Sequence, residues 1–159
     1  MNKRTLIEKI IAQLADEVES YARSARASQA EATDEQSKAE NKYDTRGLEA
    51  SYLAHGQSRQ AAEVEEAIEQ FRGMAVREFG AKDAIDLGAL VEVDRGGEVA
   101  RYFIGSRAGG TEIGHAGKTV LVITPQSPLG RQLMGAKAGD RLKIEAGGSR
   151  DGFRVIAVS

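Results

Sequence analysis

At 159 residues the chain has room for one or two small domains. It has no cysteine and only two histidines, His55 and His115, which excludes a disulfide framework, a thiol redox centre and a histidine-rich metal site. The net charge of −2 hides an asymmetry: residues 1–79 hold 11 Lys+Arg against 15 Asp+Glu, and residues 80–159 hold 11 against 9. Neither half carries the clustered cations of a duplex-DNA grip, so sequence-specific DNA recognition is not expected. Glu8 and Lys9 interrupt any signal-peptide core, and no run approaches the ~20 apolar residues of a membrane span. The expectation is a cytoplasmic protein with no membrane partner.

Residues 3–41 read as one helix, with Ile11, Leu14, Val18, Tyr21 and Ala25 recurring at steps of three and four. Toward residue 41 the stripe thins to Ser28 and Ala32. A second helix is predicted from about Leu48 to Phe79, with Tyr52, Ala61, Ile68, Phe71 and Val76 on its inner side and Gly56 and Gly73 as the places where it would break. The two stripes mirror one another about residue 43, pairing Ala32 with Ala54, Ala25 with Ala61 and Val18 with Ile68. That symmetry predicts an antiparallel coiled-coil hairpin over residues 1–79, with its tip near 41–47 and an arm of roughly 50–60 Å. The alternative is a compact bundle in which the helices fold back.

The composition changes near Gly80. Fifteen of the 18 glycines and both prolines lie from there onward, so a turn-rich domain over residues 80–159 follows the helical part. Residues 90–93 and 99–104 flank a hairpin signal at Asp94–Glu98. Residues 119–124 form a continuous apolar run suited to a strand buried on both faces. Ser127 as N-cap, Pro128 at the first helical position and Gly135 at the end predict a short helix packed through Leu129, Leu133 and Met134. Residues 141–146 and 152–158 alternate as strands joined by a second hairpin over 147–151. The reading is an α+β chain in two parts, whose second part is an antiparallel sheet of about five strands with one short helix.

Little in the chain can do chemistry alone. There is no HExxH, no P-loop and no Ser/His/Asp arrangement on a common element. The glycine-rich run 105–110 reads as a plain loop, His115 as a loop residue in that same turn region, and His55 as an exposed helical position. The acids at the hairpin tip, Asp44 with Glu40 and Glu49, admit two readings. They solubilise the tip, with Asp44 capping the second helix. Or they supply oxygens to a Mg²⁺ whose other ligands come from elsewhere.

The string Ser127-Pro128-Leu129-Gly130-Arg131-Gln132-Leu133-Met134-Gly135-Ala136-Lys137-Ala138-Gly139-Asp140 resembles the "SPLGRxLxGxKxGD" motif of the GreA/GreB family of bacterial transcript-cleavage factors. The resemblance is strongest over residues 118–158 and extends more weakly into the hairpin. It implies an FKBP-like C-terminal domain that binds at the rim of the secondary channel of RNA polymerase. It also implies a coiled coil that enters the channel, and tip acids that help hold a catalytic Mg²⁺ during cleavage of backtracked RNA. On that basis the partners are core RNA polymerase and, indirectly, the nascent RNA 3′ end. The protein is expected to be a monomer and an accessory factor, not an enzyme, with no cofactor of its own beyond the shared Mg²⁺.

The family tip reads "GDLxENAEY", whereas this chain has Tyr43-Asp44-Thr45-Arg46-Gly47-Leu48-Glu49-Ala50-Ser51-Tyr52. Asp44 matches the tip aspartate and would be the metal ligand, and Arg46 matches a nearby basic residue that contacts the partner. This chain is one residue longer, so the second acid falls at Gly47 or Leu48, and Glu40 or Glu49 would have to substitute. Two alternatives therefore stand beside cleavage: a regulator that occupies the channel without cleaving, and a coiled-coil adaptor unrelated to RNA polymerase. For docking, Pro125, Ser127, Pro128 and Leu129 form a turn whose two prolines fix the backbone and lower the entropy lost on binding. The alternative is a turn that only packs the core.

Overall fold

The computed structural model describes residues 2–34, 45–143 and 152–159. Two long helices, α1 (Lys3–Thr33) and α2 (Arg46–Arg72), form an N-terminal hairpin. Strands β1 (Leu90–Asp94), β2 (Val99–Ile104), β3 (Glu112–His115) and β4 (Lys118–Ile123) follow, then the short helix α3 (Pro128–Leu133), then β5 (Arg141–Leu142) and β6 (Phe153–Val158). The chain divides into two compact units, Met1–Ile10 with Gln70–Ser159, and Ile11–Glu69. The composition break at residue 80 thus falls inside the first unit, because the start of α1 and residues 70–79 pack with the sheet.

In the helical unit the apolar period does what the sequence implies. Leu14, Ala25, Ala50, Ala54, Ala61, Ala67 and Ile68 are buried, and Ser28 Oγ donates to Gln57 Oε1 at 3.0 Å across the hairpin. That bond lies in register with the predicted pairing of Ala25 with Ala61 and Ala32 with Ala54. α2 runs through Gly56 without a break. Tyr52 is the exception: it is 69% exposed, not inward as predicted. Ala50 and Ala54, one turn apart, take the inner side, and Tyr52, two positions from each, is carried round to the opposite side. At its far end α1 is described to Thr33, whose hydroxyl donates to the carbonyls of Gln29 and Ala30 at 3.1 and 3.3 Å. The predicted extension to residue 41 lies outside the described residues.

α2 ends at Arg72, seven residues before the predicted Phe79. Gly73 weakens the helix there by about 1 kcal/mol relative to alanine, and beyond it the chain is needed elsewhere. Phe79 is buried in the sheet's core, with the Lys3 ammonium 4.8 Å and the Arg77 guanidinium 4.6 Å from its ring centre. Val76, predicted on the inner side of the helix, instead lies beyond the end of α2 and is 42% exposed. The Lys3 side chain is buried and donates to the carbonyls of Arg77 and Gly88.

The sheet has six strands in the order β3-β4-β2-β1-β6-β5. It is mixed, since β2 and β4 pair in parallel while every other pair is antiparallel. The expectation of a wholly antiparallel sheet of about five strands is corrected on both points. The sixth strand is β3, which takes His115 out of the predicted loop and into a ladder opposite Lys118. Its insertion between the runs 99–104 and 118–123 lets β4 return to β2 in the parallel sense. Alternation splits β2 between two faces. Tyr102 and Ile104 join Ile85, Val91, Val93, Leu133 and Val155 in one core. Phe103 turns to the other face, where its ring lies 6.4 Å from that of Phe71. A Cβ on Gly105 would come within 3.0 Å of both Phe71 and Val122, so glycine at this strand end is a packing requirement. β4, buried at Val120, Val122 and Ile123, is the two-sided strand the sequence implies.

Candidate functional site

The first candidate is the start of α2. Thr45 precedes the helix, its carbonyl accepts the Glu49 N–H at 2.9 Å, and its hydroxyl donates to Glu49 Oε1 at 3.0 Å. An acid in the first turn is favoured by the unsatisfied N–H groups and the positive end of the helix dipole. Arg46 is exposed in the same turn. Of the predicted tip acids, Glu49 is therefore held against its own helix start, while Asp44 and Glu40 lie outside the described residues. Among the described residues, no group of three His, Cys, Asp or Glu side chains is arranged to hold a metal ion.

Around the same turn, Leu48 and Leu53 are 55% exposed and Tyr52 more so. Toward this end the space between the helices is lined by small and polar side chains, among them Gln29, Ala32, Gly47, Ser51 and Ala54, and leaves a groove of about 580 Å³. Thinning of the stripe was legible in the sequence. The exposure of Leu48 and Tyr52, one turn apart, was not, because a tyrosine at helical spacing reads as core.

The second candidate is the turn before α3. Ser127 works in both directions: its hydroxyl donates to the Thr124 carbonyl at 2.8 Å and accepts the Gly130 N–H at 3.0 Å. It is the N-cap of α3, with Pro128 at the first helical position, as the sequence predicts. Gly130 lies so close under this turn that a Cβ would fall 1.8 Å from the Thr124 oxygen. At the other end Gly135 has φ +81° and its N–H donates to the Ile85 carbonyl at 2.9 Å, which joins α3 to the segment before β1. The four predicted docking residues are thus contiguous but differ in what they present. Pro128 is exposed, Pro125 and Ser127 are half-buried, and Leu129 packs on the core. Gln126 and Arg131 are also exposed here.

Two histidines complete the inventory. His55 is exposed on α2. His115 is buried and its Nδ1 has no hydrogen-bond partner among the described residues. Burial pushes its pKa below the usual histidine value, and the nearby Lys9 ammonium, which donates to the Gly114 carbonyl at 2.9 Å, pushes the same way.

The architecture is that of an α+β protein whose helical hairpin precedes a mixed sheet carrying one short helix. Residues 80–159 match the family described as transcription elongation factor, GreA/GreB, C-terminal, and the chain belongs to the GreA/GreB family. Among solved structures it is similar to GreA factor homolog 1 of Thermus thermophilus at 24% identity. That match covers 96% of this chain and 94% of the other, with a TM-score of 0.40. The same factor from Thermus aquaticus is also 24% identical over 95% and 92% of the two chains, with a TM-score of 0.41. No curated protein sequence matches the chain. No helix among the described residues is long and apolar enough to cross a membrane.

Proposed function

We propose that the protein binds core RNA polymerase through its C-terminal domain, inserts its hairpin into the secondary channel and assists cleavage of backtracked RNA. The observation that carries this reading is the Ser127–Gly135 turn. The motif that resembles the family is built here as a capped, proline-stiffened element, with Pro128 and Arg131 exposed on it. The chain's role is that of an accessory factor. It contributes carboxylates, Asp44 with Glu40 or Glu49, to a site that the polymerase completes, and Arg46 contacts the partner nearby. Carboxylate oxygens are the donors Mg²⁺ prefers; bound there, the ion would activate water and stabilise charge on the phosphate.

A second reading, occupancy of the channel without cleavage, is favoured by one specific observation. Glu49, which would have to replace the shifted second acid, already has its carboxylate engaged by the Thr45 hydroxyl. Adding the protein to a backtracked elongation complex tests both. Shortening of the RNA from its 3′ end supports assisted cleavage. Stable binding without shortening supports occupancy alone. Failure to bind core polymerase at micromolar concentration removes both readings and leaves the adaptor.

A further inference from the structure

Arg141 of β5 and Arg154 of β6 stand directly opposite one another in the ladder. Arg154 in turn faces Asp94 of β1, and Asp94 faces Val99 of β2. Their sequence neighbours Leu142 and Phe153 turn to the core, so alternation sends both arginines to the other face, where both are exposed. Like charges directly opposite in an antiparallel pair destabilise it. Among the described residues neither guanidinium takes part in an ion pair. The Asp94 carboxylate, across from Arg154, accepts the Gly97 N–H at 2.7 Å in the β1–β2 turn. One row away the contrast is plain, since Arg101 meets Glu92 directly across β1 and β2 at 2.7 Å.

Two aliphatic side chains flank the arginine pair. Val99 is 43% exposed at the end of the same row, and Ile156 is 41% exposed where the β1–β6 register shifts. Arginine beside exposed aliphatic surface is the composition of a protein interface, while two guanidiniums alone are too few for a phosphate-backbone grip. The guanidinium fork fits a carboxylate in bidentate fashion.

We propose that this face of β5 and β6 docks an acidic segment of a protein partner, with Arg141 and Arg154 each taking a carboxylate and Val99 and Ile156 supplying apolar contact. On the function proposed above, the segment belongs to core RNA polymerase, and in that respect the inference rests on that reading. It adds a contact surface distinct from the turn before α3.

The test is binding of the full chain to core RNA polymerase at low and moderate salt. The Arg141→Glu/Arg154→Glu double variant should bind roughly tenfold or more weakly and lose most of the salt dependence. Arg154→Gln should bind severalfold more weakly while melting no lower than the parent chain, because it relieves the opposed charges. Parent-like affinity in both variants, with polymerase binding otherwise intact, overturns the inference alone. No binding by the parent chain overturns the functional reading and this inference with it. Binding of a free single-stranded RNA oligomer that the double variant abolishes would reassign the face to nucleic acid and also overturn it.

Discussion

The Thr45 hydroxyl donates to the Glu49 carboxylate at 3.0 Å, one turn into α2. The bond joins the residue before the helix to the first acid inside it, where the helix has unsatisfied N–H groups. Thr45→Ala should therefore fray the first turn, at a cost of about 0.5–1 kcal/mol. Amide hydrogen exchange at residues 46–50 would read it as several-fold faster exchange. Unchanged protection would mean that the bond contributes nothing to the helix start.

Two substitutions two residues apart in α3 should separate packing from binding. Gly130→Ala forces a Cβ to within 1.8 Å of the Thr124 oxygen, so the turn must open, and thermal or denaturant unfolding should show a loss of about 3 kcal/mol. Pro128 is exposed and makes no hydrogen bond that alanine would remove. Pro128→Ala should leave stability within about 1 kcal/mol but weaken polymerase binding. If it loses stability and binding together, the proline belongs to the fold rather than the interface.

His115 should make the sheet unit sensitive to acid. Burial holds its folded-state pKa below the unfolded value, with Lys9 adding to the effect. Between those two pKa values the unfolded chain binds a proton that the folded chain does not, so stability rises with pH. The contribution is complete above the unfolded value near 6.5 and is lost as pH falls through the folded one. Denaturant midpoints measured from pH 7.5 to 5 should fall less steeply for His115→Leu than for the parent chain. Equal slopes would show that this histidine does not titrate differently on unfolding.

β3 explains why the sheet was only partly legible. The β1–β2 hairpin announces itself through Gly96 and Gly97, both at positive φ. The β3–β4 turn instead uses Ala116 and Gly117, at φ +51° and +71°, and alanine gives no signal for a conformation it adopts at a cost. Ala116→Asn should raise stability by about 0.5–1 kcal/mol, read from the unfolding midpoint. No gain would mean that the turn is not strained. Elsewhere the residues spoke clearly. The Ser127-Pro128 start and Gly135 end of α3 follow from capping chemistry, and the helical hairpin follows from its mirrored stripe. The stripe failed at Tyr52, which lies two positions from the buried Ala50 and Ala54 and so on the other side of α2, and it overran Gly73 because it carries no information about where Phe79 must go. Of the candidate tip, Glu49 and Arg46 are described, and Asp44 and Glu40 lie outside the described residues.

Completion of a metal site in RNA polymerase by the tip carboxylates is what sets assisted cleavage apart from occupancy alone. It is tested most directly by RNA 3′-end cleavage in a backtracked elongation complex, comparing the parent chain with Asp44→Ala at saturating concentrations of each. The parent chain should shorten the RNA rapidly, and Asp44→Ala should lose at least tenfold in rate with polymerase binding retained. Equal cleavage by the two proteins, or none by the parent chain while it is bound, would contradict it.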